Sequence, residues 1–335
     1  MLKSGFSRLV GFLLITTLLA LGLHISISWS LKRVSVGDYG AFNRAMQGRV
    51  NAEVLVTGSS RAFRHYDPRI LSGRTGLSCF NLGLNGSQID VQLGALKAYL
   101  RQNKKPRLLI QNLDIQSLIL TKPTAIFDPA QYVPYLGDTE LYSCLDRIDG
   151  DLWKWKYLPL YAYAVKDTSF TWTVGLRHLV GLGPRDACYD GFSPVARSWT
   201  NDFERFQRAN PQGLEIEIDA GGVAALQGII ELCQKEGIQM ALVYSPQYFE
   251  MIRLTRNRAR IFALFRSIAQ RGNVRFIDYT DSPISFNREW FYNSQHLNAR
   301  GAEVFTQDLA TRLVAMGFVA RSSESRTNAA PSPEM

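Results

Sequence analysis

Two phrases in the chain carry residues that could do nucleophilic chemistry together. The strand pattern EVLVT at 53–57 runs straight into Gly58-Ser59-Ser60-Arg61, where glycine permits a tight turn and Ser60 lands at the strand's C-terminal edge. A serine hydroxyl is a poor nucleophile until a base takes its proton, so folding must bring a histidine to it. Of four histidines, His296 lies in FYNSQHLNARGA, just before a helix that starts near Asn298, a good N-cap. His24 falls in an apolar stretch, His178 in an aromatic-rich region, and His65 only five positions after Ser60, so none of these competes well as the base. His65 is left to line the pocket. Singly, the first phrase fits an ordinary strand-to-helix turn and the second a packed histidine at a helix start. Their conjunction, each after a strand, carries the argument.

The elements that must position them alternate. Apolar runs at 53–58, 79–84, 107–114, 240–245 and 274–279 suit parallel strands buried on both faces. Helical patterns fall at 87–102, 221–235, 254–269 and 299–315. The alternation predicts a three-layer α/β/α doubly wound parallel sheet of about five strands, with its ligand crevice at the strands' C-terminal ends. The stretch 117–215 is too long for a crossover and poor in strand signals. It reads as a mainly helical insertion that caps the crevice and returns through GFSPVARSW at 191–199. Its Trp153, Trp155, Tyr157, Tyr161, Tyr163 and Trp172 are expected to pack in the core of that insertion, rather than as a sugar-stacking platform.

Composition fits this reading. With 335 residues, 46% hydrophobic and 20% charged, the chain is globular, and its net charge of +9 suits anionic partners without any basic run that marks nucleic acid. Residues 9–29, LVGFLLITTLLALGLHISISW, hold no formal charge and at about 1.5 Å each reach roughly 31 Å, enough for a membrane span. A cleaved signal peptide is the alternative, disfavoured by the length and the lack of an A-x-A site. The expected organisation is a cytoplasmic N-terminus at 1–8, an anchor at 9–29, a linker at 30–50, one α/β domain at 51–320 and a disordered polar tail at 321–335. Lys3 and Arg8 face Lys32, Arg33, Arg44 and Arg49 across the span, so charge leaves its orientation open. Cys79, Cys144, Cys188 and Cys233 have no metal-ligand spacing, a Cys144–Cys188 bridge has no support, and no nucleotide fingerprint occurs. No cofactor or metal is expected.

With these blocks in order, the chain resembles the SGNH or GDSL hydrolase superfamily, and within it the membrane-anchored branch of D-alanyl-lipoteichoic-acid transfer and alginate O-acetylation proteins. The resemblance covers about 53–313. Gly58-Ser59-Ser60 matches the first block, with Ser59 in place of the motif's aspartate. Asn81-Leu82-Gly83-Leu84-Asn85-Gly86 matches the second, and implies an oxyanion hole from the N–H groups of Gly86 and Ser60. Asn112, in the third block at 111–117, stands for a further oxyanion donor. Asn293-Ser294-Gln295-His296 matches the last, with asparagine where the family's triad has aspartate. An amide can still accept the histidine's Nδ1–H, but stabilises imidazolium less than a carboxylate would. A Ser-His dyad, or help from Asp278 or Asp281, are the alternatives. Arg61 and Arg64 follow the nucleophile, where they could receive an anionic group or simply pair with a carboxylate.

The expected function is a membrane-anchored serine esterase or O-acyltransferase acting on a cell-envelope or exported polysaccharide through an acyl-serine. The resemblance implies a periplasmic or extracytoplasmic domain on a bacterial-type inner or cytoplasmic membrane, with a multi-span acyltransferase as partner. A non-catalytic polysaccharide-binding or assembly component is the alternative, kept open by Asn293. A tethered lipase with the insertion as lid is a third, with no exposed apolar face legible to support it.

Overall fold

The computed structural model describes residues 2–119, 126–183 and 188–318. The polar tail expected at 321–335 lies outside them. Five parallel strands form one sheet: β1 (Val54–Gly58), β2 (Cys79–Gly83), β3 (Leu108–Asn112), β4 (Gln239–Tyr244) and β5 (Arg275–Asp278). Their spatial order is β2-β1-β3-β4-β5, with β1 between β2 and β3 in register through Val56, Asn81 and Ile110. The chain leaves β1 in both directions, so the topological switch lies at the C-terminal ends of β1 and β3, where a doubly wound sheet opens its crevice.

Side chains alternate across β1, as strand geometry demands. Leu55 joins the core under the helices Gly37–Met46, Ile89–Gln102, Ala220–Glu236 and Arg258–Arg271, while Val54 and Val56 join the core under Ala299–Ala315. The fold is therefore the three-layer α/β/α arrangement expected, with every strand within two residues of its apolar run.

Three local readings change. The segment 30–50 is not a linker: Gly37–Met46 is a helix whose Tyr39, Phe42, Ala45 and Met46 are buried in the core. The N-terminal helix runs Leu2–Leu31, beyond 29, and its Gly5–Leu31 part is long and apolar enough to cross a membrane. The helix expected at 254–269 starts only at Arg258 and runs to Arg271, with a separate short helix Phe249–Leu254 before it. The reason is tertiary: Leu254 O and Arg256 N bond to Leu214, and the Asn257 side chain bonds to Ile216, so the break fastens the end of the insertion.

The insertion is built of short helices, among them Thr139–Asp146, Leu152–Tyr157, Thr173–Leu179 and Asp202–Ala209. Its aromatics divide instead of all packing inward. Trp155 and Tyr163 are buried, but Trp153 and Tyr157 are exposed. All four cysteines are free.

Candidate active site

Ser60 is the first residue of the short helix Ser60–His65, directly after β1. The turn needs Gly58, whose φ is +149° and where a Cβ would stand 2.7 Å from that of Ala62 and 2.8 Å from that of Asn112. His296 sits three residues before the helix Ala299–Ala315, and Asn298 caps that helix by accepting the Gly301 N–H at 2.9 Å.

The two ends of the chain meet here. His296 Nε2 lies 2.8 Å from Ser60 Oγ, and its Nδ1 lies 3.0 Å from Asn293 Oδ1. The proton positions follow from the backbone. Asn293 Oδ1 also accepts the N–H groups of Gln295 and His296, at 3.0 and 2.9 Å, so this atom is the amide oxygen. An oxygen can only accept, so Nδ1 carries the ring hydrogen, and Nε2 is left with a lone pair toward the Ser60 hydroxyl. Asp278 is instead bonded to Arg266 and Thr280, and Asp281 is exposed, so neither orients His296.

Burial, and then the guanidinium charges of Arg61 and Arg64, lower the pKa of His296 to about 3. The ring is therefore neutral near pH 7. Tyr292 stacks on it at 5.5 Å and 10°, shielding one face.

The second block reaches the same edge. Gly58 pairs with Gly83, and Leu84 N donates to Gly58 O at 2.8 Å, so the segment that leads to Gly86 leaves the sheet beside the turn that carries Ser60. Among the described residues neither Ser60 N–H nor Gly86 N–H donates to a protein acceptor. Phe127 of the insertion packs directly over Gly86.

Asn112 does not supply a further oxyanion donor. It is fully buried, its amide hydrogens go to Asp114 at 3.0 Å and to Leu113 O at 3.4 Å, and its oxygen accepts from Tyr66 at 2.7 Å. Arg61 likewise turns inward rather than toward a substrate. It is 3% exposed, forms an ion pair with Asp114 at 2.9 Å, donates to Ser245 O, and lies 4.4 Å over the Tyr244 ring. Ser59 donates to the other oxygen of Asp114, which gives the residue in the motif's aspartate position a structural task.

Arg64 does face the crevice. It donates to Ser193 Oγ at 2.6 Å and lines, with Arg197 and Tyr292, a cleft of about 340 Å³. The same return loop continues into a larger cleft of about 600 Å³ beside Trp199, Arg288 and Arg300. Asp38, from the helix that replaces the expected linker, faces Arg64; burial pushes its carboxyl up to about 6, against the pull of Arg64.

Two residues beneath the pair hold the site together: His65, which was expected to line the pocket and does not, and Asp114. His65 is fully buried, with Nδ1 at 2.9 Å from Ser245 Oγ and Nε2 accepting Leu297 N–H at 3.0 Å. Asp114 binds Ser59, Arg61 and Asn112 at once. An acidic residue just after a strand was the only signal for it, and that signal is shared with ordinary caps. Among the described residues no group of three or more His, Cys, Asp or Glu gathers as a metal site would require.

No protein-family model and no curated protein matches the chain. Solved structures do. A Streptococcus pneumonia protein provisionally described as a platelet activating factor is 13% identical over 92% of this chain and 99% of its own, with a TM-score of 0.41. A lipolytic protein of the G-D-S-L family from Desulfitobacterium hafniense, also provisionally described, is 12% identical over 77% and 98%, with a TM-score of 0.37. An acetylxylan esterase from Geobacillus stearothermophilus, in a catalytic mutant, is 12% identical over 82% and 99%, with a TM-score of 0.38. Likenesses this remote say nothing of what this chain acts on. The blocks Gly58–Ser60, Asn81–Gly86 and Asn293–His296 follow one another along the chain in the order that the resemblance drawn from the sequence implies, and Ser60 and His296 meet beyond the C-terminal end of β1.

Proposed function

We propose that the protein is a membrane-anchored serine esterase or O-acyltransferase acting on an acylated glycan of the cell envelope or an exported polysaccharide. The observation that carries this reading is the 2.8 Å contact between Ser60 Oγ and the unprotonated nitrogen of His296, with Asn293 fixing the tautomer.

In the reaction Ser60 Oγ attacks the ester carbonyl carbon and its proton passes to His296 Nε2. The oxyanion is received by the N–H groups of Ser60 and Gly86, each such donor being worth about 2.7–4 kcal/mol of barrier. His296 then gives its proton to the leaving alkoxide, which leaves an acyl-serine. Water or a sugar hydroxyl, deprotonated by His296, attacks that acyl group and frees Ser60. Water makes the protein an esterase; a sugar hydroxyl makes it an acyltransferase, with a multi-span membrane acyltransferase as the donor partner.

An amide orienting His296 and two guanidinium groups near it make the imidazolium costly, which suits esters, whose leaving groups depart more readily than amines. An anionic group bound by Arg64 and Arg197 would offset part of that charge. The clefts beside the return loop have room for a sugar-sized acceptor.

The N-terminal helix supports an anchor over a cleaved leader, because Ile27, Ser30 and Leu31 at its end are buried against the folded domain. The reading places that domain on the periplasmic or extracytoplasmic side of an inner or cytoplasmic membrane.

The test is to treat the detergent-solubilised full chain with a fluorophosphonate and with an acetyl ester, beside Ser60→Ala and His296→Ala. A single adduct on Ser60 and turnover lost in both variants support the reading. A folded wild-type chain with neither adduct nor turnover, but with retained glycan binding, would replace it with a binding or assembly role.

A further inference from the structure

We propose that the insertion is a second membrane-contacting surface, which lies in the lipid interface beside the N-terminal helix and fixes the height of the catalytic cleft above the bilayer. The inference rests on the anchor reading of that helix and adds to it a lipid contact by a separate part of the chain.

The argument begins with length. Gly5–Leu31 is 27 residues, about 40 Å at 1.5 Å per residue, against a hydrocarbon core of about 30 Å. About two turns are therefore in excess of the core, and the last two turns of the helix, 24–31, are docked on the insertion. His24 Nδ1 accepts the Leu160 N–H at 3.2 Å, and Ser28 Oγ is 2.8 Å from the Tyr163 hydroxyl. Closer to the helix end, Gly175 lies so near that a Cβ would stand 2.4 Å from Ser30 Oγ and 2.5 Å from Leu31 N. The insertion thus grips the helix at the depth where hydrocarbon gives way to headgroups.

The segment that makes this grip is also the one that leaves large apolar side chains uncovered. Tyr157, Phe170, Val180 and Leu182 are 66%, 66%, 71% and 64% exposed, and Val165 and Leu179 are exposed too. In water such a concentration on one segment is unusual. Beside the end of a membrane helix it has an evident partner, since aromatic and aliphatic groups at headgroup level are favourable there. The flanking charge fits: Lys32, Arg33, Lys156 and Arg177 are exposed and make no ion pair with a carboxylate among the described residues, which suits anionic lipid headgroups. This face is not legible in the sequence, because the residues are spread over short helices with no sustained amphipathic period.

The experiment uses the full chain, with Cys144→Ser and Cys188→Ser, in vesicles of phosphatidylcholine and phosphatidylglycerol. An environment-sensitive fluorophore is placed singly at Phe170→Cys, Val180→Cys, Leu13→Cys and Glu303→Cys, the last on the helix covering the opposite face of the sheet. All four native side chains are exposed, so the substitutions should leave the fold intact, and circular dichroism of each variant checks this. The proposal expects blue-shifted emission at 170 and 180, quenched by spin-labelled lipid and shielded from iodide, with the reverse at 303. Iodide quenching at 170 and 180 equal to that at 303 overturns it. If the label at 13 is then still quenched by lipid, the anchor reading stands alone; if that label too is in water, both readings fall.

Discussion

His65 holds the loop that carries His296: its Nε2 accepts the backbone N–H of Leu297 at 3.0 Å, and the two histidine rings stand at 85° to each other, 6.1 Å apart. Because Nε2 accepts, Nδ1 is the protonated nitrogen and donates to Ser245 Oγ, which ties the loop to the end of β4. Replacing His65 with Leu keeps the bulk but leaves the Leu297 N–H buried without a partner. A loss of about 1–3 kcal/mol is expected, read by urea unfolding, together with a fall in kcat greater than any rise in KM. Unchanged stability and kcat would show that the contact does not position the loop.

The Arg61–Asp114 pair is buried on both sides. Arg61→Met strands the carboxylate, and Asp114→Asn strands the guanidinium. Each should destabilise the fold by about 3–5 kcal/mol, seen as a lowered thermal midpoint, whereas the double variant should recover part of the loss. Strict additivity of the two would mean that the charges do not stabilise each other.

Asn293→Asp would put a carboxylate against the His296 Nδ1–H. The imidazolium gains a counter-charge, so the pKa of His296 rises from about 3 and the acid limb of kcat/KM moves to higher pH. Asn293→Ala removes the acceptor for the ring and for two backbone N–H groups, and turnover should fall by about 10²–10⁴-fold. A pH profile of ester hydrolysis measures both.

In the wild type, activity should persist well below pH 6.5, since His296 stays unprotonated there. Arg64→Gln removes one of the charges that lower its pKa, so that variant's acid limb should lie at higher pH than the wild type's. Stability runs the same way. Both His65 and His296 have folded pKa values below the unfolded one, so between those values the unfolded chain binds more protons. Stability is thus full above about pH 6.5 and declines as pH falls, by at most about 1.4 kcal/mol per pH unit for each histidine. Unfolding midpoints measured from pH 7 to pH 4 test the sign.

Much of the site was legible because it depends on short-range pattern. A β-branched run ending in Gly58 makes a strand and a turn wherever it is placed, Asn298 caps whatever helix follows it, and 21 uncharged residues make one long apolar helix. The order of such segments also limits a doubly wound sheet to few topologies, so the meeting of Ser60 with His296 could be anticipated. What followed from the fold alone was the direction and company of individual side chains. Arg61 and Arg64 lie three apart on one short helix, yet the first is buried against Asp114 and the second faces the cleft. Nothing local distinguishes them; the carboxylate that captures Arg61 comes from beyond β3. The helix Gly37–Met46 reads as a polar linker until the sheet supplies a face for Tyr39 and Phe42. The sequence by itself determined the strands, the turn and the position of Ser60 at its end, because hydrogen-bonding geometry and apolar period act over a few residues. The tertiary structure decided the partners of Asp114, the task of His65 and the apolar face of the insertion, because burial and charge pairing depend on segments that only folding brings together.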